Sequence, residues 1–163
     1  MLRKLLPVFS GLIVCGCWPS EGRTLGRHQS IVVYGKVRGY ATLNEMMSLE
    51  HLDEYTQRLD NDVLKEFRQR GAFTDFFGMS FVAAFPKAIP ETVKASQEAI
   101  AIAMANIGVT KPDKLPLDIE IGVHLGEVYW GEYGSGRAKQ QKVIGEHLVM
   151  AARLAGEASH HES

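Results

Sequence analysis

The sequence predicts an α+β domain of two layers, and three observations carry that prediction. Apolar residues at helical spacing alternate along the chain with short runs at strand spacing. Glycines, prolines and capping residues stand at the joints between them. The length of 163 residues leaves room for one domain of ordinary size, with no internal repeat and no low-complexity tract.

The elements follow in order. Residues 31–34 form a β-branched run that reads as a buried strand. Gly39 follows it, and Thr42 and Glu45 have capping-box spacing, so a helix is expected from about Leu43. Ser48 is placed to cap a second helix, in which Leu49, Leu52, Tyr55, Leu59, Val63 and Phe67 recur on one face until Gly71 ends it. That stripe reads as core. Two apolar runs, 72–77 and 81–85, flank Gly78-Met79-Ser80 and read as a hairpin. Pro90 opens a third helix with Val93, Ile100, Met104 and Ile107 on one face. Residues 111–116 read as a loop. Ile119, Ile121, Val123 and Leu125 alternate with Glu120, Gly122 and His124, which makes a strand, with His124 assigned to packing. Gly131, Gly134 and Gly136 mark turns, Val143 and Ile144 form a short strand, and Leu148 begins a last helix.

Composition excludes several function classes. The net charge is −1, with apolar residues at 45% and charged residues at 23%, so the chain carries no basic field for nucleic acid or anionic membrane. Both cysteines, Cys15 and Cys17, lie near the N-terminus, which leaves the rest of the chain without a disulfide framework. Residues 1–30 stand apart from the expected domain at 31–163. Arg3 and Lys4 precede an apolar stretch, 5–18, that is too short to span a bilayer as a helix. Three readings of it stay open: a secretory signal, a lipobox-like segment that would anchor a lipoprotein through Cys17, and an unstructured extension of a cytoplasmic protein. Residues 19–30 read as a linker.

Four segments then converge. Val33-Tyr34-Gly35-Lys36-Val37-Arg38-Gly39-Tyr40-Ala41 resembles F-x-D-I-R-G-F-T. Residues 76–85 resemble K-F-I-G-D-G-L-L-A-V-F from its second letter on. Residues 119–128, with Gly131, Gly134 and Ser135, resemble I-R-I-G-I-H-T-G-E-V-x-x-G-x-x-G-S. Residues 143–154 resemble V-I-G-D-x-V-N-L-A-A-R-L. Together these cover about 31–155 and resemble the class III adenylyl and guanylyl cyclase catalytic domain. The resemblance implies a ferredoxin-like two-layer α/β sandwich that dimerises head to tail, with active sites at the interface. It also implies strands beyond the last helix, so the fold is expected to be incomplete at its C-terminal end.

What the resemblance implies about chemistry is mostly loss. Cyclisation by the family uses two metal ions, magnesium or manganese, held by two aspartates. Their positions fall at Lys36 and Met79, and neither an ammonium nor a thioether ligates magnesium. Restoring aspartate at both would be expected to create a metal site. The lysine and aspartate that read adenine fall at Asp75 and Lys142, a reversal of charge that could still pair the two with each other. The ribose-orienting asparagine falls at Val149. The transition-state arginine alone is kept, as Arg153. Phosphate-binding backbone groups would fall at Gly39, Tyr40, Ala41 and Thr42, with Lys36 beside them. Tyr129, Trp130 and Tyr133 lie in a segment that resembles the family's dimerisation arm.

The expectation is therefore a degenerate cyclase homology domain without catalytic metal, which works in cyclic-nucleotide signalling as a homodimer or as the partner of another cyclase domain. The alternatives are a cyclase active only with a partner chain, a nucleotide-binding sensor without turnover, and a gene fragment with no stable product.

Overall fold

The computed structural model describes residues 26–38, 41, 45–108, 119–137 and 139–158. The cysteines, the helix start near Leu43, the loop 111–116 and the phosphate-binding positions Gly39, Tyr40 and Thr42 lie outside them.

Among the described residues, five strands form one antiparallel sheet: β1 (Gly26–Val37), β2 (Phe73–Phe77), β3 (Ser80–Pro86), β4 (Ile119–Tyr133) and β5 (Gln140–Ile144). Their order is β2-β3-β1-β4-β5. The first four strands are arranged as in a ferredoxin-like fold, and β5 is added at the β4 edge. Between β1 and β2 the chain runs through α1 (Leu49–Arg58), a π-helical segment (Leu59–Leu64) and α2 (Lys65–Gln69). Between β3 and β4 it forms α3 (Pro90–Gly108), and α4 (Glu146–Ala158) follows β5.

Local chemistry explains most of these boundaries. The Ser48 side chain accepts a hydrogen bond from the His51 backbone N–H at 3.4 Å and caps α1. Gly71, at φ 83°, stands in the left-handed conformation that ends α2. Gly78, at φ 58°, turns the β2–β3 hairpin. The π-helical segment brings Leu59, Val63, Leu64 and Phe67 into the core together. Asn106 of α3 donates to the Asp62 carbonyl at 2.8 Å, which gives the widened turn a partner.

Each face of the sheet carries a core. On one face Val33, Phe81, Ala83 and Phe85 meet Leu59, Val63 and Phe67. On the other, Val32, Val82, Ala84, Val128 and Val143 meet Ala151 of α4. The helical layer between β1 and β4 is the second layer of the expected sandwich, and α4 lies on the opposite face.

Four details differ from the sequence reading, the first being that Gly131, read as a turn, is a buried residue within β4. β1 begins at Gly26, so residues 26–30, expected in the linker, are strand. They are polar, and their strand state comes from pairing with residues 126–130 of β4. In α3 the buried face is Ser96, Ala99, Ala103 and Ile107, while Val93 and Met104 are exposed. Small side chains let this helix lie close to its neighbours, which the larger apolar residues would prevent. Leu49, at the head of the α1 stripe, is also exposed.

Candidate nucleotide site and partner surface

Lys36 and Met79 are brought together by backbone and separated by side chain. The Val37 N–H donates to the Met79 carbonyl at 3.0 Å, so the end of β1 touches the hairpin turn. Lys36 pairs across the sheet with Ser80 and Glu120 and is exposed. Met79 is 6% exposed and belongs to the core beneath α1, with its sulfur 3.9 Å from the Thr56 hydroxyl oxygen. Strand alternation puts Lys36 on the α4 face, whereas Met79 is buried on the other. An exposed ammonium and a thioether turned into the core do not fit magnesium or manganese. Among the described residues, no group of three or more His, Cys, Asp or Glu side chains gathers where it could hold a metal. Ala41 is exposed.

Asp75 and Lys142 do meet. The strands that carry them, β2 and β5, stand at opposite ends of the strand order, yet the sheet curls until the two edges touch. The Asp75 carboxylate closes this seam. One oxygen accepts from the Val143 backbone N–H at 3.2 Å, and the other lies 3.4 Å from the Lys142 ammonium. Asp75 is 6% exposed, so its oxygens are committed to the protein. Asp75 thus spends its acceptors on the Val143 N–H and the Lys142 ammonium.

The position of α4 depends on two glycines of β4. A Cβ at Gly122 would stand 2.0 Å from the Ala151 carbonyl oxygen, and one at Gly126 would stand 2.1 Å from the His147 ring. The helix therefore rests directly on the strand, through Ala151 and Ala155. Its outer side presents Val149, Met150, Arg153 and Leu154 to solvent. Val149 and Arg153 are one helical turn apart and face the same way. His124 is not a simple packing residue: its Nδ1 lies 3.3 Å from His147 Nδ1 at the start of α4. Sequence reasoning did not single out His147. Gly122 and Gly126, four residues apart on one strand face, were the available sign that a helix lies against that face.

In the arm, the three aromatic residues separate. Tyr129 is 41% exposed, and its hydroxyl accepts from Arg27 Nε at 3.0 Å. That bond, followed by Glu127, raises the Arg27 pKa above its ordinary value. Tyr133 is half-buried. Trp130 packs on its own sheet, between His28 at 4.3 Å and Phe73 at 4.8 Å between ring centroids. Its indole N–H is buried and has no acceptor among the described residues. Phe73 lies on β2, so Trp130 helps fill the curled side of the sheet instead of standing out as an interface anchor.

No protein-family model and no curated protein matches the sequence. Solved structures do resemble it. The catalytic core of a rhodopsin-guanylyl cyclase with converted specificity, in complex with ATPalphaS, is similar over 82% of this chain and 74% of its own, at 14% identity and a TM-score of 0.68. The guanylate cyclase domain of RhGC from Catenaria anguillulae, in complex with GTP, is similar over 80% and 74%, at 15% identity and a TM-score of 0.68. The adenylyl cyclase CyaB from P. aeruginosa is similar over 82% and 74%, at 22% identity and a TM-score of 0.60. The chain has the fold of the class III adenylyl and guanylyl cyclase catalytic domains.

Proposed function

We propose that this chain is a class III cyclase homology domain that has lost catalysis and acts in cyclic-nucleotide signalling by pairing with another cyclase domain. The observation that carries the reading is the seating of Met79. A residue at a metal-aspartate position has become part of the hydrophobic core, and its counterpart Lys36 bears the charge of the ion it would have to hold. The self-paired Asp75 and Lys142 and the apolar Val149 agree with it. Arg153 is an exposed helix arginine without its co-actors.

The partner surface consists of Tyr129 in the arm and the outer side of α4, where Val149, Met150 and Leu154 are solvent-exposed. Val149, Met150 and Leu154, grouped on the outer side of α4, are apolar side chains of the kind that mark an interaction site. Some solved neighbours are dimeric, among them the guanylyl cyclase domain described as a non-canonical dimer from Blastocladiella emersonii. Mixing the purified chain with an active class III cyclase domain, with ATP or GTP and magnesium or manganese, tests the reading. The chain alone is expected to give no cyclic nucleotide above background, and the mixture is expected to change the turnover of the active domain. Tyr129→Ala should weaken association by about 2 kcal/mol, the scale of an aromatic hot spot, and leave the fold intact. Sedimentation over a concentration series reads this directly. Metal-dependent turnover by the chain alone, abolished by Arg153→Ala, would overturn the loss of catalysis. A monomer at every concentration with no effect on the active domain would overturn the pairing.

A further inference from the structure

We propose that His124 and His147 form a proton-operated latch that holds α4 on the sheet and releases it in acid. The two Nδ1 atoms are 3.3 Å apart and share one proton, donated by one ring and accepted by the other. The rings are near parallel, at 19°, with centroids 5.1 Å apart. Both residues are half-buried, and the bond joins the middle of β4 to the first turn of α4. Gly126 leaves the space into which His147 fits.

Chemistry gives this pair three states. With one proton between the rings the bond is intact. The acceptor ring keeps its own proton on Nε2, and one added proton, taken up at the Nε2 of the donor ring, leaves the bond intact and charge-assisted. Glu146 Oε1, 3.8 Å from His147 Nε2, is placed to balance that charge. A second added proton makes both rings imidazolium and leaves two donors facing each other. The bond is then lost, and two positive charges stand beside the positive end of the α4 dipole. Histidine is the side chain whose unperturbed charge change falls between about pH 5 and 8.

Among the described residues, the surrounding charges do not offer another acceptor at the pair. On the α4 face of the sheet, Glu120 is bonded to Arg38 at 3.1 Å and Glu132 pairs with Lys139. From β1 this face carries His28, stacked on Trp130, with Tyr34 and the cationic Lys36 beyond Val32. From α4 itself, Arg153 is exposed on the outer side. That the loosened helix alters partner pairing rests on the function proposed above. The latch does not, and it can be tested on the chain alone.

The test is amide hydrogen exchange on the full chain at about pH 7.5 and about pH 5.5, corrected for intrinsic rates. Protection of α4, measured relative to α3, is expected to fall by about tenfold at the lower pH. That factor corresponds to water-screened repulsion between unit charges at this separation. In His124→Asn the amide oxygen replaces the imidazole acceptor and cannot be protonated there. The fall should then shrink to less than about twofold by the same reasoning. His147→Asn is the reciprocal variant should the first not fold. Protection of α4 that stays level with α3 in the wild type overturns the latch, as does an equal fall in wild type and variant.

Discussion

Met79→Asp should lower stability by about 3–5 kcal/mol and should create no manganese site, even when it is combined with Lys36→Asp. The thioether lies in the core with Tyr55, Leu59 and Phe81. Its removal deletes buried methylenes, a loss of about 2–5 kcal/mol in a packed site. The incoming carboxylate finds the Thr56 hydroxyl as the polar group beside it, and burial of a charge with so few partners adds to the cost. A loss of this size is a large part of a domain's stability. It should lower the thermal midpoint by about 6–20 °C at this chain length. Scanning calorimetry gives the first result and titration with manganese the second. A gain in manganese affinity with little loss of stability would mean that position 79 turns outward, and the account of lost catalysis would lose its main support.

Asp75→Ala should cost about 2–4 kcal/mol, whereas Lys142→Ala should cost less than about 1 kcal/mol. The asymmetry follows from what each group satisfies. The Asp75 carboxylate accepts from a buried backbone N–H, and a charge-assisted bond of this kind contributes about 1.5–3 kcal/mol. Its removal also leaves the Val143 N–H unpaired. The Lys142 side chain is 36% exposed, so water screens its attraction to Asp75 and replaces much of what the ion pair supplies. Urea unfolding of both variants and of the double variant measures the difference and the coupling. Equal losses for the two single variants would move the weight of the seam from the backbone bond to the ion pair.

Much of the fold was legible because local chemistry decided it. The hairpin at Gly78, the Ser48 cap and the core stripe of Leu59, Val63 and Phe67 are each fixed within a few residues. What was not legible depends on distant partners. Residues 26–30 are strand because β4 pairs with them, although Arg27, His28 and Gln29 show no strand pattern. Trp130 turns inward because β2 and β5 approach each other and bring Phe73 to its ring. The candidate site divides the same way. The chemical unsuitability of Lys36 and Met79 for metal could be read from residue type. The burial of Met79, and with it the prospect for restoring aspartate, required the packing of α1. The pairing of Asp75 with Lys142 was anticipated as a consequence of reversed charges, but the Val143 N–H was not, because backbone donors leave no mark in a sequence.

The seam also sets a timetable for the ribosome. Asp75 and Val143 are 68 residues apart, so the β2–β3 hairpin is made well before the strand that meets its outer edge. At about 5–20 residues per second, that interval lasts roughly 3–14 seconds. Through it the edge of β2 is an open template for strands of other chains. A closure this distant in sequence is expected to form after the folding transition state, so weakening it should speed unfolding and leave refolding nearly unchanged. Stopped-flow kinetics of Asp75→Ala would read both limbs, and slowed refolding would place the seam in the nucleus instead. The Asp75 carboxylate would then govern how long a nascent chain stays vulnerable to its neighbours.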